Sequence, residues 1–275
     1  MRKNLLIIGT ICLLTVLLIS GVIFYPRPIP PTIKPIIETE TIETESGSHM
    51  LPKPDELLTE SGSKLSQTLH YVTAKTHGQK IIALTFDDGP NPINTPVVLD
   101  LLKARQIKAS FFVLGSRASQ YPEIVKRIVA EGHDIGNHSW NHPDLTKLKQ
   151  ADLDHQILDT QKTLTTILGF TPYLFRPPYG AMNQKVLDTA NLPIILWSDD
   201  SLDWKDHKAE DIKKVIMSTI KPGKIILLHD IHATTVQALP TILDALTKAG
   251  YKFVTISELF QLSSDTSKTA KTIYH

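Results

Sequence analysis

The 275 residues include 29 basic and 28 acidic side chains, a formal net charge of +1 without a long block of either sign, so no nucleic-acid partner is expected. That length suits one medium-sized domain with extensions rather than two full domains. A single cysteine, Cys12, excludes a disulfide framework and a thiolate cage, leaving histidine and carboxylate to hold any metal ion.

The first predicted element is a membrane span. Leu5 to Phe24 carries no charge, is rich in Leu, Ile and Val, and is long enough to cross a bilayer as a helix. Arg2 and Lys3 precede it and favour a cytoplasmic N-terminus, so residues 1–25 are expected to be a short cytoplasmic stub and a signal-anchor. The rest of the chain would then lie outside the cell, single-pass on the cell membrane. Secretion after signal cleavage is the alternative, disfavoured because Ser20 to Tyr25 reads SGVIFY and lacks a small-residue cleavage site. Residues 26–78, rich in Pro, Thr and Glu at first, are expected to form an extended stalk and lead-in. Gly47-Ser48-His49-Met50 lies within it and is assigned no function.

From Lys80 onward, short apolar runs alternate with amphipathic ones. Strands are predicted at 81–85, 110–114, 134–136, 174–176, 194–197, 225–229 and 253–255. Helices are predicted at 95–105, 122–131, 149–168, 183–190, 210–220 and 236–249. Pro122 suits a first turn, and Gly132, Gly169 and Gly250 suit stops. Strands separated by helices imply a parallel sheet, and seven of them suggest an α/β barrel, open or closed. An open doubly wound sheet is the rival, but Asp87-Asp88-Gly89-Pro90 stands where its glycine-rich phosphate loop belongs. The domain is drawn at 79–262, followed by a polar tail at 263–275.

Unusual polar residues track the predicted strand ends: Asp87 and Asp88, His138 and His142, Arg176, Asp200 and Asp203, then His229 and Asp230. In a parallel barrel those ends share the face on which active sites are built. His138 and His142 could present two imidazoles to one ion, and a carboxylate beside them would complete a recurring catalytic metal set. Asp87-Asp88 could supply it, although Asp-Gly and Gly-Pro also read as a plain turn.

Five strings carry a resemblance: Thr85-Phe-Asp-Asp-Gly-Pro90, His138-Ser-Trp-Asn-His-Pro143, Arg176-Pro-Pro-Tyr-Gly180, Asp200-Ser-Leu-Asp-Trp204 and Leu227-Leu-His-Asp230. In this order they resemble the motifs of the NodB-type polysaccharide deacetylases, carbohydrate esterase family 4, over residues 80–260. The resemblance implies a distorted (β/α)7-type barrel that releases acetate from the N-acetylhexosamines of a glycan. It further implies that Asp88, His138 and His142 bind one divalent metal, zinc being expected and Co2+ or Mn2+ the alternatives. Asp87 would be the general base, with Arg176 pairing to it and keeping it ionised. The Tyr179 backbone N–H would face the oxyanion, and His229, supported by Asp203, would be the general acid. Trp204 and Leu227 would wall the acetyl methyl group, and Tyr179 would also touch substrate.

Resemblance and anchor together suggest peptidoglycan N-acetylglucosamine as substrate and a monomer as the working form. A wall-linked polysaccharide, its linkage unit or poly-N-acetylglucosamine is the alternative. A noncatalytic carbohydrate-binding relative would have no need for Asp87, Arg176 and His229 together. A phosphoesterase generally wants a second metal, and two opposed carboxylates for glycoside hydrolysis would leave the histidine pair unexplained.

Overall fold

A computed structural model describes residues 71–205 and 208–275. The expected anchor, most of the stalk, Cys12, Gly47-Ser48-His49-Met50, His70 and His207 lie outside the described residues. Among the described residues, no helix is long and apolar enough to cross a membrane.

The elements, in chain order, are β1 (Tyr71–Val72), β2 (Ile81–Asp87), α1 (Asn94–Ala104), β3 (Ser110–Val113), α2 (Gly115–Gln120), α3 (Pro122–Ala130) and β4 (Asp134–Asn137). Then come α4 (Gln150–Asp154), a π-helical turn (His155–Asp159), α5 (Thr160–Leu168), α6 (Gln184–Ala190), β5 (Ile194–Ile195) and β6 (Asp199–Asp200). The chain finishes with α7 (Ala209–Thr219), β7 (Ile225–His229), α8 (Ala233–Lys248), β8 (Lys252–Val254), α9 (Ile256–Phe260) and β9 (Ile273–Tyr274).

Every strand pair is parallel. One sheet runs β4-β3-β2-β7-β6, and Phe175 bridges β4 to Ile194 of β5. Because β5 and β6 belong to one stretch of chain, the pairings return to their start as a barrel. Two irregularities distort it. β8 pairs with Ile81–Ala83 while β3 pairs with Thr85–Asp87, so two strands divide the length of β2. The strand expected at 174–176 reduces to bridges at Phe175, because Pro177 and Pro178 have no N–H to give a ladder. The run expected at 194–197 likewise breaks into β5 and β6.

Alternation along the strands sorts side chains into two layers. Ile82, Leu84 and Phe86 of β2, with Ile226 and Leu228 of β7, pack outward beneath Leu99 of α1, Ile128 of α3, Ile216 of α7 and Leu243 of α8. The other face of those strands turns into the barrel. There Ala83, Phe112, Leu174, Ile195 and Ile225 form an apolar plug, closed by Ile256 and Leu259 of α9. Toward the C-terminal ends the inward positions become Thr85 and Asp87 on β2, with Leu227 and His229 opposite them in register. Apolar below and polar above, the interior leaves its chemistry at one rim.

The domain edges differ from the composition-based boundaries. Residues 263–275, expected as a polar tail, contribute β9, which lies between β5 and β1. Tyr71–Val72, placed in the lead-in, is the outer strand of that three-stranded sheet. The helix expected at 149–168 is interrupted by the π turn. α9 begins with a capping box between Thr255 and Glu258, a signal present in the sequence as Thr-x-x-Glu.

Candidate active site

Asp87 closes β2, and its carboxylate is buried against Arg176, whose NH1 donates to Oδ1 at 2.7 Å. Nothing on that guanidinium is wasted. It also donates to the Thr85 hydroxyl at 2.9 Å and to the carbonyls of Ile195 and Leu196 at 3.0 Å each, and it lies 4.1 Å above the Phe112 ring. Burial pushes the Asp87 carboxyl up from the ordinary carboxylate range, against the pull of Arg176. Arg176 pairs with Asp87 as expected from the motif, while the cost of burying the carboxylate is the larger of the two opposing influences.

Asp88 follows in a left-handed conformation (φ 71°), and both carboxylates reach toward His138, Asp87 Oδ2 lying 3.6 Å from its Nε2. Asp88 Oδ1 lies 3.5 Å from Nε2 of both His138 and His142, and this buried oxygen has no hydrogen-bond partner. His138 extends from the end of β4, and its Nδ1 is 2.7 Å from the Arg176 carbonyl. A carbonyl only accepts, so Nδ1 carries the proton and Nε2 presents a lone pair toward Asp88. Burial holds this ring neutral, with a pKa lowered to about 3. His142 is also left-handed (φ 68°) and packs edge-on against the Tyr179 ring at 4.5 Å.

One carboxylate oxygen and two imidazole nitrogens therefore converge within 4.8 Å of one another. Lone pairs facing each other with an orphaned buried oxygen are unfavourable unless a cation lies among them. Two histidines and one carboxylate fit a single divalent ion with positions left for other ligands.

Across the rim, His229 ends β7 in register with Asp87. Both its backbone N–H (2.7 Å) and Nδ1 (2.8 Å) are held by Asp203, whose Oδ2 also accepts from the Thr235 hydroxyl at 2.6 Å. Burial alone would lower the His229 pKa, but the Asp203 hydrogen bond and charge, aided by Asp87 and Asp88, raise it to about 9.

The structure thus brings Asp87, Asp88, Arg176, His138, His142, Asp203 and His229 to one rim. Tyr179 sits beside His142 in a left-handed backbone (φ 60°), and the residue is 61% exposed. Trp204 is 51% exposed, tethered through its indole N–H to Asp200 at 3.3 Å, while Leu227 is buried beside Thr85. Asp230 is buried, takes the Thr95 hydroxyl, and is pushed up to about 7 by desolvation. It packs so closely beneath Gly89 that a Cβ there would lie 2.6 Å from both carboxylate oxygens. His133 accepts the Ala109 N–H at 3.1 Å.

Comparison with known proteins matches residues 74–192 to the polysaccharide deacetylase family. A peptidoglycan-N-acetylglucosamine deacetylase of Bacillus cereus is 42% identical over 200 residues, covering 70% of this chain and 93% of its own. The chain belongs to the NodB-type polysaccharide deacetylases. Within that family, peptidoglycan-N-acetylglucosamine deacetylase PgdA of Listeria monocytogenes is 50% identical over 187 residues, 68% of this chain, and the chain spans 40% of that relative's length. The solved structure of peptidoglycan deacetylase PdaC from Bacillus subtilis superposes with a TM-score of 0.65 at 45% identity, covering 67% of this chain and 91% of that one. The parallel-strand α/β architecture read from the sequence is thereby that of the NodB-type deacetylases.

Proposed function

We propose that this chain hydrolyses N-acetyl groups from N-acetylhexosamine residues of a cell-wall glycan, with peptidoglycan N-acetylglucosamine as its substrate. The observation that carries the reading is the triad Asp88, His138 and His142 converging between a buried carboxylate and a protonated imidazole. Those three side chains would hold one divalent ion, zinc by the donor set. When bound, such an ion supplies Lewis acidity, polarising the acetyl carbonyl and acidifying water.

The protein residues supply the rest. Asp87 takes the proton of the attacking water as its oxygen bonds to the carbonyl carbon, and a carboxyl displaced upward from its usual range is a better match to that task near neutral pH. Arg176 holds the Asp87 carboxylate in one orientation by the 2.7 Å contact. The Tyr179 backbone N–H donates to the oxyanion. His229 then gives its proton to the amide nitrogen, the C–N bond breaks, and acetate and a free amine leave. Asp203 keeps His229 charged until that step. Leu227 and Trp204 bound the space for the acetyl methyl.

The similarity to relatives named as peptidoglycan deacetylases supports the substrate class. The apolar run Leu5 to Phe24, with Arg2 and Lys3 before it, supports a single-pass membrane anchor with the domain outside the cell. Acetate release should be measured on purified wall fractions, comparing intact peptidoglycan, separated wall polysaccharides and poly-N-acetylglucosamine, before and after chelation. Release from peptidoglycan that stops on chelation and returns with zinc is the expected result. Activity that survives thorough metal removal defeats the metal role, and release from another fraction alone reassigns the substrate.

A further inference from the structure

The loop that joins His138 to His142 has an unusual construction. Two of its non-glycine residues, Ser139 (φ 72°) and His142 (φ 68°), hold left-handed backbone conformations that the surrounding structure must enforce. Each backbone N–H along it has an identifiable acceptor. His138 donates to the Val113 carbonyl at 3.1 Å, Ser139 to the Asn137 side chain at 2.9 Å, and His142 to the Ser139 hydroxyl at 3.0 Å. The two N–H groups between them, of Trp140 (3.0 Å) and Asn141 (3.1 Å), both converge on Oε1 of Gln156. Nε2 of the same side chain donates to Asn141 Oδ1 at 2.8 Å.

Gln156 is itself buried, and it lies in the π turn His155–Asp159. In that widened turn carbonyl oxygens are engaged by side chains: Thr160 Oγ1 donates to the Gln156 carbonyl at 2.8 Å and Asn137 Nδ2 to the Ile157 carbonyl at 2.9 Å. The same Thr160 fills the space beside Gly115, where a Cβ would lie 2.4 Å from its hydroxyl and 2.6 Å from the Trp140 ring. Gly115 and Ser116 in turn donate to the Ser139 and Trp140 carbonyls at 2.9 and 3.0 Å. The loop is thus gripped from two sides, by the start of α2 and by the π turn.

From this geometry we propose that Gln156 is a positioning residue that sets His142 relative to His138. His138 is fixed independently, by β4 and by the Arg176 carbonyl. His142 is joined to His138 through Ser139, Trp140 and Asn141, and Gln156 holds two of those three N–H groups, while on its other side His142 rests against Tyr179, whose ring packs on the imidazole and whose hydroxyl donates to the His142 carbonyl at 3.3 Å. Removing its acceptor frees the segment that carries one ligand while leaving the other in place. The inference rests on the assignment of Asp88, His138 and His142 as a metal site, and it adds a residue outside all five sequence motifs.

The test reads metal binding rather than turnover. Wild type, Gln156→Met and Gln156→Glu are prepared metal-free, and zinc affinity is measured by chelator competition together with the visible spectrum of the cobalt form. Methionine keeps the volume without an acceptor, and loss of a partner that orients ligands typically weakens metal binding by about 10- to 100-fold. Gln156→Met should show a loss of that order, an altered cobalt spectrum and a metal-free melting temperature near wild type. Glutamate retains an oxygen for both N–H groups, and the Asn141 amide can turn to donate to it, so Gln156→Glu should recover most of the affinity and the native spectrum. Wild-type affinity and spectrum in Gln156→Met overturn the inference while leaving the deacetylase reading intact. So does failure of Gln156→Met to fold, because the residue then supports the domain rather than the ligand. A wild-type protein that binds no zinc at all sinks the deacetylase reading and this inference with it.

Discussion

The site contains two ion pairs of the same general kind, and they behave differently. Asp87 and Arg176 lie in the dry interior, where burial wins and the carboxyl is displaced upward despite a guanidinium 2.7 Å away. Asp203 is as deeply buried as Asp87, and the partner it holds, His229, is the more open of the two cations. In this second pair burial opposes charge as well, but hydrogen bonding wins: Asp203 stays below the usual carboxylate range and His229 rises to about 9. Pairing a carboxylate with a cation therefore does not set its protonation; the balance of desolvation against directed hydrogen bonds does. The proposed reaction draws on that difference, with a carboxylate to accept a proton opposite an imidazole to release one.

The most severe way to break this contrast is Asp87→Asn, which keeps a hydrogen-bond partner for Arg176 but removes the proposed base. Turnover should fall by about 10²- to 10⁴-fold with zinc binding and folding retained, checked by acetate release, chelator competition and circular dichroism. Near-normal rates would assign the base elsewhere. Arg176→Met strikes the same pair from the other side, leaving a buried carboxylate without its guanidinium and three other acceptors without their donor. Loss of one partner of a buried pair costs about 3–5 kcal/mol, which urea denaturation at neutral pH should register. A stability within 1 kcal/mol of wild type, about the value expected for an exposed pair, would show that the interior is wetter than the packing indicates.

Asp203→Asn sharpens the contrast with a smaller effect. The His229 pKa is raised in the folded state, so its contribution to stability is complete below the unfolded value of 6.5 and is lost as pH rises through about 9. The alkaline limb of activity should follow the same folded-state group. Without Asp203 the remaining dominant influence on His229 is burial, which lowers its pKa, so that limb should move down toward neutrality and the high-pH loss of stability should flatten. A pH–rate profile unchanged on its alkaline side would remove His229 from the role of acid.

The chemistry at the rim was readable because it resides in short strings at strand ends, where Asp87, Asp88, His138, His142 and His229 announce themselves by type and spacing. The helices and inner strands were readable because their apolar positions repeat with the period of the element. What escaped had no such period. Gln156 sits in an otherwise ordinary amphipathic stretch, and only the π turn and the folded loop opposite it reveal its two acceptor contacts. α2, reading Gly-Ser-Arg-Ala-Ser-Gln, offers too few apolar residues to display a helical face. The net direction of the Asp87 pKa was out of reach for a related reason: a neighbouring arginine is visible in a motif, whereas the depth of burial is a property of the closed barrel.

The placement of β9 between β1 and β5 has a mechanical consequence. Any pull transmitted along the chain ahead of Tyr71 enters the domain at β1, and β1 is attached through a two-residue ladder to β9. Under tension that short seam is the weak link and would detach before load reached β2, whose neighbours on both sides hold the rim together. Asp87 and Asp88 would then keep their places while β1 came away.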